Sequence, residues 1–150
     1  YYSMIKKFKS ALSRYPTGIV CVFSKNKKGF YNAIIVNSFA SVSLNPLIVL
    51  WSLDIASSKF KYFKSAKEQS IVVLSNLQKK IINDIAYKKD LISSLEFKKI
   101  LSHSVFSFSC SKYKELKVGD HFTFFLKVKN ISKVKRFKPI IYCNKKFFSN

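Results

Sequence analysis

The chain has 150 residues, with 28 lysines and arginines set against seven acidic side chains, for a formal charge of +21. Its length suits a single domain over residues 1–150, since a chain of this size buries roughly 70% of the surface exposed when unfolded. With 48% apolar residues, 16% aromatics and only three glycines and three prolines, the composition excludes a disordered chain, and no apolar run reaches the ~20 residues that span a bilayer.

The first lysines recur among Ile5, Phe8 and Leu12, the pattern of an amphipathic helix over residues 3 to 13. PTG (16 to 18) ends it, because Pro16 cannot continue a helix and Gly18 gives the chain a permissive backbone. GIVCVFS (18 to 24) and FYNAIIV (30 to 36) are apolar and β-branched, and the polar KNKKG between them predicts a hairpin. PLIVLWSL (46 to 53) and SIVVLSN (70 to 76) are two more strands. They flank SSKFKYFKSA (57 to 66), whose Phe60, Phe63 and Ala66 share one helical face. Residues 76 to 97 place Leu77, Ile81, Ile82 and Ile85 at helical spacing. Strands then return in SVFSFSCSKY (104 to 113), which alternates, in DHFTFFLKVKNIS (120 to 132) and in PIIYCNKKFF (139 to 148). Six or seven strands, mostly adjacent in sequence with helices inserted, predict a mainly β, α+β fold built as an antiparallel barrel.

Cys21, Cys110 and Cys143 are odd in number and include no C-x-x-C pair, so they are expected to be buried or half-buried free thiols. The N-terminus has no apolar core of secretory type, and the expected location is the cytoplasm, away from any membrane. There is no G-x-S-x-G, P-loop or H-x-x-x-H, and two histidines, His103 and His121, are too few for most zinc hydrolase sites; no metal site is expected. An enzyme built on such a chain would take its chemistry from a bound cofactor. The charge is the footprint of a nucleic-acid binder. Yet only two of the 28 basic residues are arginine, and abundant Lys, Asn, Ile, Phe and Tyr all have AT-rich codons. Specific nucleic-acid binding is therefore not expected, although a basic nucleic-acid-binding module is the reading from another class.

Four segments, ALSRYPTGIVCVFS (11 to 24), NSFASVSLNPLIVLWSLDIASSKF (37 to 60), VGDHFTFFLKV (118 to 128) and PIIYCNKKFF (139 to 148), occur in the order and spacing of a known family. The chain resembles the flavin reductase-like family, whose fold is the FMN-binding split barrel. The resemblance implies a homodimer that uses NADH or NADPH to reduce FMN or FAD and supplies reduced flavin to a partner monooxygenase. It also implies that the uncharged run Val36, Asn37, Ser38, Phe39, Ser41, Val42 and Ser43 holds the flavin ring; on the residues alone, serines that face solvent from a strand or cap a bend are the favoured reading. Ser52, Asp54, Ser57, Ser58 and Lys59 fall in the segment that binds the flavin phosphate in the family. Ser57 or Ser58 is expected to cap the following helix, with the plain capped helix as the alternative. His121, placed by the Gly119–Asp120 turn, is the expected catalytic residue for orienting the nicotinamide or moving a proton, against a purely structural role at the turn. Apolar strands such as PLIVLWSL suggest the surface that a second copy covers. Ile35, Leu47, Val72 and Leu126 replace the threonine, second proline, asparagine and glycine usual in relatives, so a flavin-binding protein without reductase activity is the nearest alternative.

Overall fold

The computed structural model describes residues 1–87 and 91–149. Helix α1 (Tyr2–Ser13) precedes the short strand β1 (Thr17–Gly18) and the hairpin of β2 (Val20–Lys25) and β3 (Tyr31–Val36). Its loop closes because the Asn26 side chain accepts the N–H groups of Lys28 and Phe30 at 2.9 and 3.0 Å, while Gly29 takes a φ of 87°. Strands β4 (Ala40–Leu44) and β5 (Leu47–Asp54) follow, then α2 (Phe60–Ser65), β6 (Glu68–Val73), a 3₁₀ turn (Asn76–Gln78) and helices α3 (Lys79–Tyr87) and α4 (Ser94–His103). The long strands β7 (Phe106–Val118) and β8 (His121–Ile131) and the small pair β9 (Ile141–Cys143) and β10 (Lys146–Phe148) complete the chain.

Seven strands form one antiparallel sheet in the order β3-β2-β6-β7-β8-β5-β4, and β1, β9 and β10 form a second, three-stranded sheet. Strand β2 explains the core. Its side chains alternate, and both faces are covered: Cys21 and Phe23 enter a cluster with Leu74, Ile82, Ile85 and Ile100 under α3 and α4, while Val20 and Val22 join Trp51, Phe63, Phe124 and Leu126. A strand buried on both faces reads as a continuous apolar run, which is what GIVCVFS is. Since β2 and β5 stand four places apart in the sheet and yet share the second cluster, the sheet curls upon itself. This is the α+β, antiparallel architecture that the periodicities predict. Trp51, wholly buried, keeps its indole N–H satisfied by Gln69 at 2.8 Å.

Helix α2 is fastened from outside the core. Lys64 Nζ lies 2.6 Å from Glu115 Oε1 and Lys112 Nζ 3.1 Å from Glu115 Oε2, so the helix is clamped to β7 by one carboxylate between two ammonium groups. The thiols are as expected: Cys21 and Cys110 are buried, Cys143 is half-buried, and all three are free. Burial pushes Cys110 up to about 12 and Cys21 higher still, leaving neither a nucleophile.

Three elements differ from the sequence expectation. ASVSL forms an edge strand, β4, with a bulge between Ser41 and Ser43. PIIYCNKKFF is a hairpin and not one strand, because Asn144 and Lys145 take φ values of 52° and 60°, the paired positive angles of a two-residue I′ turn. The stretch over 76 to 97 resolves into two helices, α4 starting where Ser93 Oγ accepts the Glu96 N–H at 3.1 Å. Residues 88–90 of that stretch lie outside the described residues.

Candidate functional site

A pocket of about 390 Å³ lies between the two sheets, where the ends of β3 and β5 and the start of β8 face the β9–β10 hairpin. Ile19, Ile35, Val36, Leu53, Tyr142 and Phe147 give it apolar walls, and Asn37, Ser38, Ser52, Asp54 and His121 give it a polar edge. Strand β3 ends at Val36 and β4 begins at Ala40, so Asn37, Ser38 and Phe39 fall outside both ladders. None of the hydrogen bonds among the described residues uses the main-chain groups of these three. What holds them in place is the Ser38 hydroxyl, which donates to the Ser52 carbonyl at 3.0 Å and accepts from the Ser52 N–H at 2.9 Å. Ser52 is held in turn from the other side, its hydroxyl 2.9 Å from that of Thr123 on β8.

His121 reaches the same pocket through a tight turn. Val118 pairs with His121 across a two-residue loop whose first position, Gly119, has a φ of 59°, as a II′ hairpin turn requires. His121 also pairs with Asp54 across β5 and β8. Its Nδ1 lies 2.7 Å from Asp120 Oδ1, and the hydrogen bond and charge of that imidazole hold the Asp120 carboxyl below its usual range. An ionised carboxylate only accepts, so Nδ1 carries the proton in that bond and Nε2 is the nitrogen available to a ligand.

The pocket therefore unites Val36, Asn37, Ser38, Ser52, Asp54 and His121 of the expected site. It does not unite the rest. Phe39 lines an adjoining hollow of about 510 Å³, reached past Asn37 and Ser38, in which Thr17 contributes a buried hydroxyl with no hydrogen-bond partner among the described residues. Ser41, Val42 and Ser43 lie along the outer edge strand, with Ser41 and Val42 exposed. The expected cap is corrected: the residue preceding α2 is Lys59, no side chain caps the helix, and Ser57 Oγ accepts only the Lys59 N–H, at 3.3 Å. Asp54 intervenes, since its carbonyl accepts the Ser57 N–H and its carboxylate the Ala56 N–H, drawing residues 54 to 57 into a turn of their own. The Lys59 ammonium donates to the carbonyls of Ala33 at 2.7 Å and Ile85 at 3.2 Å, tying β3 to α3.

Ile19, Ile35, Leu53, Tyr142 and Phe147 are pocket residues that the sequence expectation did not assign to the site. Ile19, Leu53, Tyr142 and Phe147 sit inside the motifs, but only the hairpin geometry brings Tyr142 and Phe147 to the polar edge. Among the described residues lining the pocket there is no lysine or arginine. Apolar walls with a polar edge suit a neutral planar ring with a polar rim.

Residues 12–150 match the model of the flavin reductase like domain. The chain belongs to that family. It is 30% identical over 135 residues to the reductase component of the flavin-dependent trigonelline monooxygenase of Acinetobacter baylyi, covering 85% of this chain and 44% of that protein. It is also 30% identical over 122 residues to a flavin reductase of Pseudomonas putida, covering 77% of this chain and 72% of that one. The chain thus spans less than half the length of the first relative and most of the second. Among solved structures, nitrilotriacetate monooxygenase component B from Mycobacterium thermoresistibile superposes with a TM-score of 0.86 at 19% identity, over 99% of this chain and 88% of that one. At that identity the likeness establishes a common fold, the split barrel of the flavin reductases.

Proposed function

We propose that this chain is an NAD(P)H-dependent flavin reductase, acting on FMN or FAD and supplying reduced flavin to a monooxygenase partner. The observation that carries the reading is the unpaired main chain at Asn37 to Phe39, set beside a pocket with apolar walls and no lysine or arginine among its described lining residues, in a member of the flavin reductase-like family. Bound flavin supplies the redox chemistry, accepting two electrons from the nicotinamide. The protein's part is to bind and orient. The main-chain groups of Asn37 and Ser38 meet the polar rim of the ring, and Ile35, Val36 and Leu53 exclude water from its face. His121 Nε2 positions the nicotinamide carboxamide or relays a proton, with Asp120 holding the imidazole in one tautomer.

The flavin phosphate lies outside the pocket, at the turn carrying Ser57 and Ser58, to which Asp54 leads directly. Lys59 belongs to this region as the strut that fixes β3 to α3, a role its two carbonyl contacts support better than direct phosphate binding.

The active form is a homodimer acting in the cytoplasm. Support for the dimer does not come from the body of β5, whose Ile48, Val49, Trp51 and Leu53 are buried within the chain itself. It comes from α1, which has no buried residue and exposes Met4, Phe8 and Leu12, and from Val42, Leu44 and Leu47 at the exposed end of β4 and β5. Flavin titration followed by flavin fluorescence tests the reading. Saturable binding of FMN or FAD at micromolar concentration is expected, and the lack of binding by either would overturn it.

A further inference from the structure

The C-terminal hairpin belongs to the small sheet, separate from the strands that carry the expected site, yet it supplies one whole wall of the pocket. Tyr142 on β9 and Phe147 on β10 are direct cross-strand partners, their ring centroids 5.2 Å apart and tilted by 38°. Tyr142 is held from behind, packed on the cluster containing Ile19 and Ile140. Phe147 is 37% exposed, a large apolar ring left open at the mouth of a pocket whose opposite wall carries Ser38 and Ser52. We infer that the Tyr142–Phe147 pair is a stacking wall for a planar heteroaromatic ring, with Phe147 as its contact face. The inference rests on the function proposed above, which provides two such rings, the isoalloxazine and the nicotinamide.

The chemistry favours stacking over simple greasy contact. An aromatic face held by a cross-strand partner loses little freedom when a second ring settles on it, and ring pairs prefer offset or tilted arrangements at about these separations. The alternation of the strand supplies an internal control. Phe148 is 46% exposed, much like its neighbour, but successive side chains of β10 point to opposite faces and Phe148 does not line the pocket.

The experiment compares Phe147→Ala, Phe147→Trp and Phe148→Ala with the parent in two arms: flavin affinity and fluorescence quenching with FMN and FAD, and the NADH concentration dependence of reduction at saturating flavin. Both phenylalanines are surface positions on a short hairpin, and circular dichroism verifies that each variant folds. If the wall serves the flavin, Phe147→Ala weakens flavin binding about 3- to 10-fold and relieves quenching, while Phe147→Trp restores both. If it serves the nicotinamide, flavin affinity holds and the NADH requirement rises by a similar factor. Either outcome supports the wall, provided that Phe148→Ala matches the parent. Phe147→Ala equal to the parent in both arms, or Phe148→Ala as damaging as Phe147→Ala, overturns it while leaving flavin reduction intact. A parent that binds no flavin overturns the functional reading itself, and the stacking wall with it.

Discussion

His121 and Lys59 show two ways a polar residue can be held at one site. His121 is oriented by its neighbour Asp120 and offers its second nitrogen to the pocket, whereas the Lys59 ammonium is turned toward the carbonyls of Ala33 and Ile85. Their replacements should therefore fail differently. His121→Ala is expected to leave flavin affinity near that of the parent and slow reduction at saturating flavin by about 10²- to 10⁴-fold, the usual contribution of a positioned acid or base. Single-turnover rates equal to the parent's would reduce His121 to a turn residue. Lys59→Met keeps the volume but strands two carbonyls, so a loss of about 1 to 3 kcal/mol in unfolding free energy is expected in urea titrations. Unchanged stability with selectively weakened flavin binding would return Lys59 to the phosphate.

At the level of elements, the site depends on how strands end. Strand β3 stops where Ser38 can staple the chain to Ser52, β8 starts at a Gly119 turn, and α2 is held to β7 by the Lys64–Glu115–Lys112 clamp. Desolvation raises the Glu115 carboxyl, but the hydrogen bonds from Lys64 and Lys112 and their charges outweigh it and hold the group below its ordinary 4.5. A depressed folded value means that the clamp stabilises fully above the unfolded carboxylate range and is lost as pH falls through the folded value. Thermal midpoints of the parent should thus drop below about pH 4.5 more steeply than those of Glu115→Gln; parallel curves would show that the clamp contributes nothing. The strands themselves were legible in the sequence, because GIVCVFS, PLIVLWSL and SIVVLSN are apolar enough to mark a buried sheet. Strand β4 was legible only as the solvent-facing alternative for its serines, since ASVSL is an edge strand with small polar side chains and one partner. The hairpin at Asn144 and Lys145 escaped notice because lysine seldom takes a positive φ. Losing that turn hid Tyr142 and Phe147, while His121 and the run from Val36 to Ser38, expected from the family resemblance, line one pocket with them. The expected cap at Ser57 or Ser58 failed because Asp54 draws residues 54 to 57 into a separate turn and α2 begins only at Phe60, after Lys59.

For the molecule as a whole, the +21 charge and the pocket point to different partners. No helix among the described residues is long and apolar enough to cross a membrane. If the lysines are compositional, DNA and RNA should bind weakly, without sequence preference and with a steep dependence on salt, as filter binding between 50 and 200 mM salt would register. A tight, sequence-selective complex at physiological salt would favour the nucleic-acid reading instead. The most direct measurement is stopped-flow oxidation of NADH and NADPH by the purified chain with FMN and with FAD. Turnover of at least one nicotinamide that requires added flavin and produces reduced flavin under anaerobic conditions is the expected result; flavin binding with no nicotinamide oxidation in any of the four combinations would contradict it.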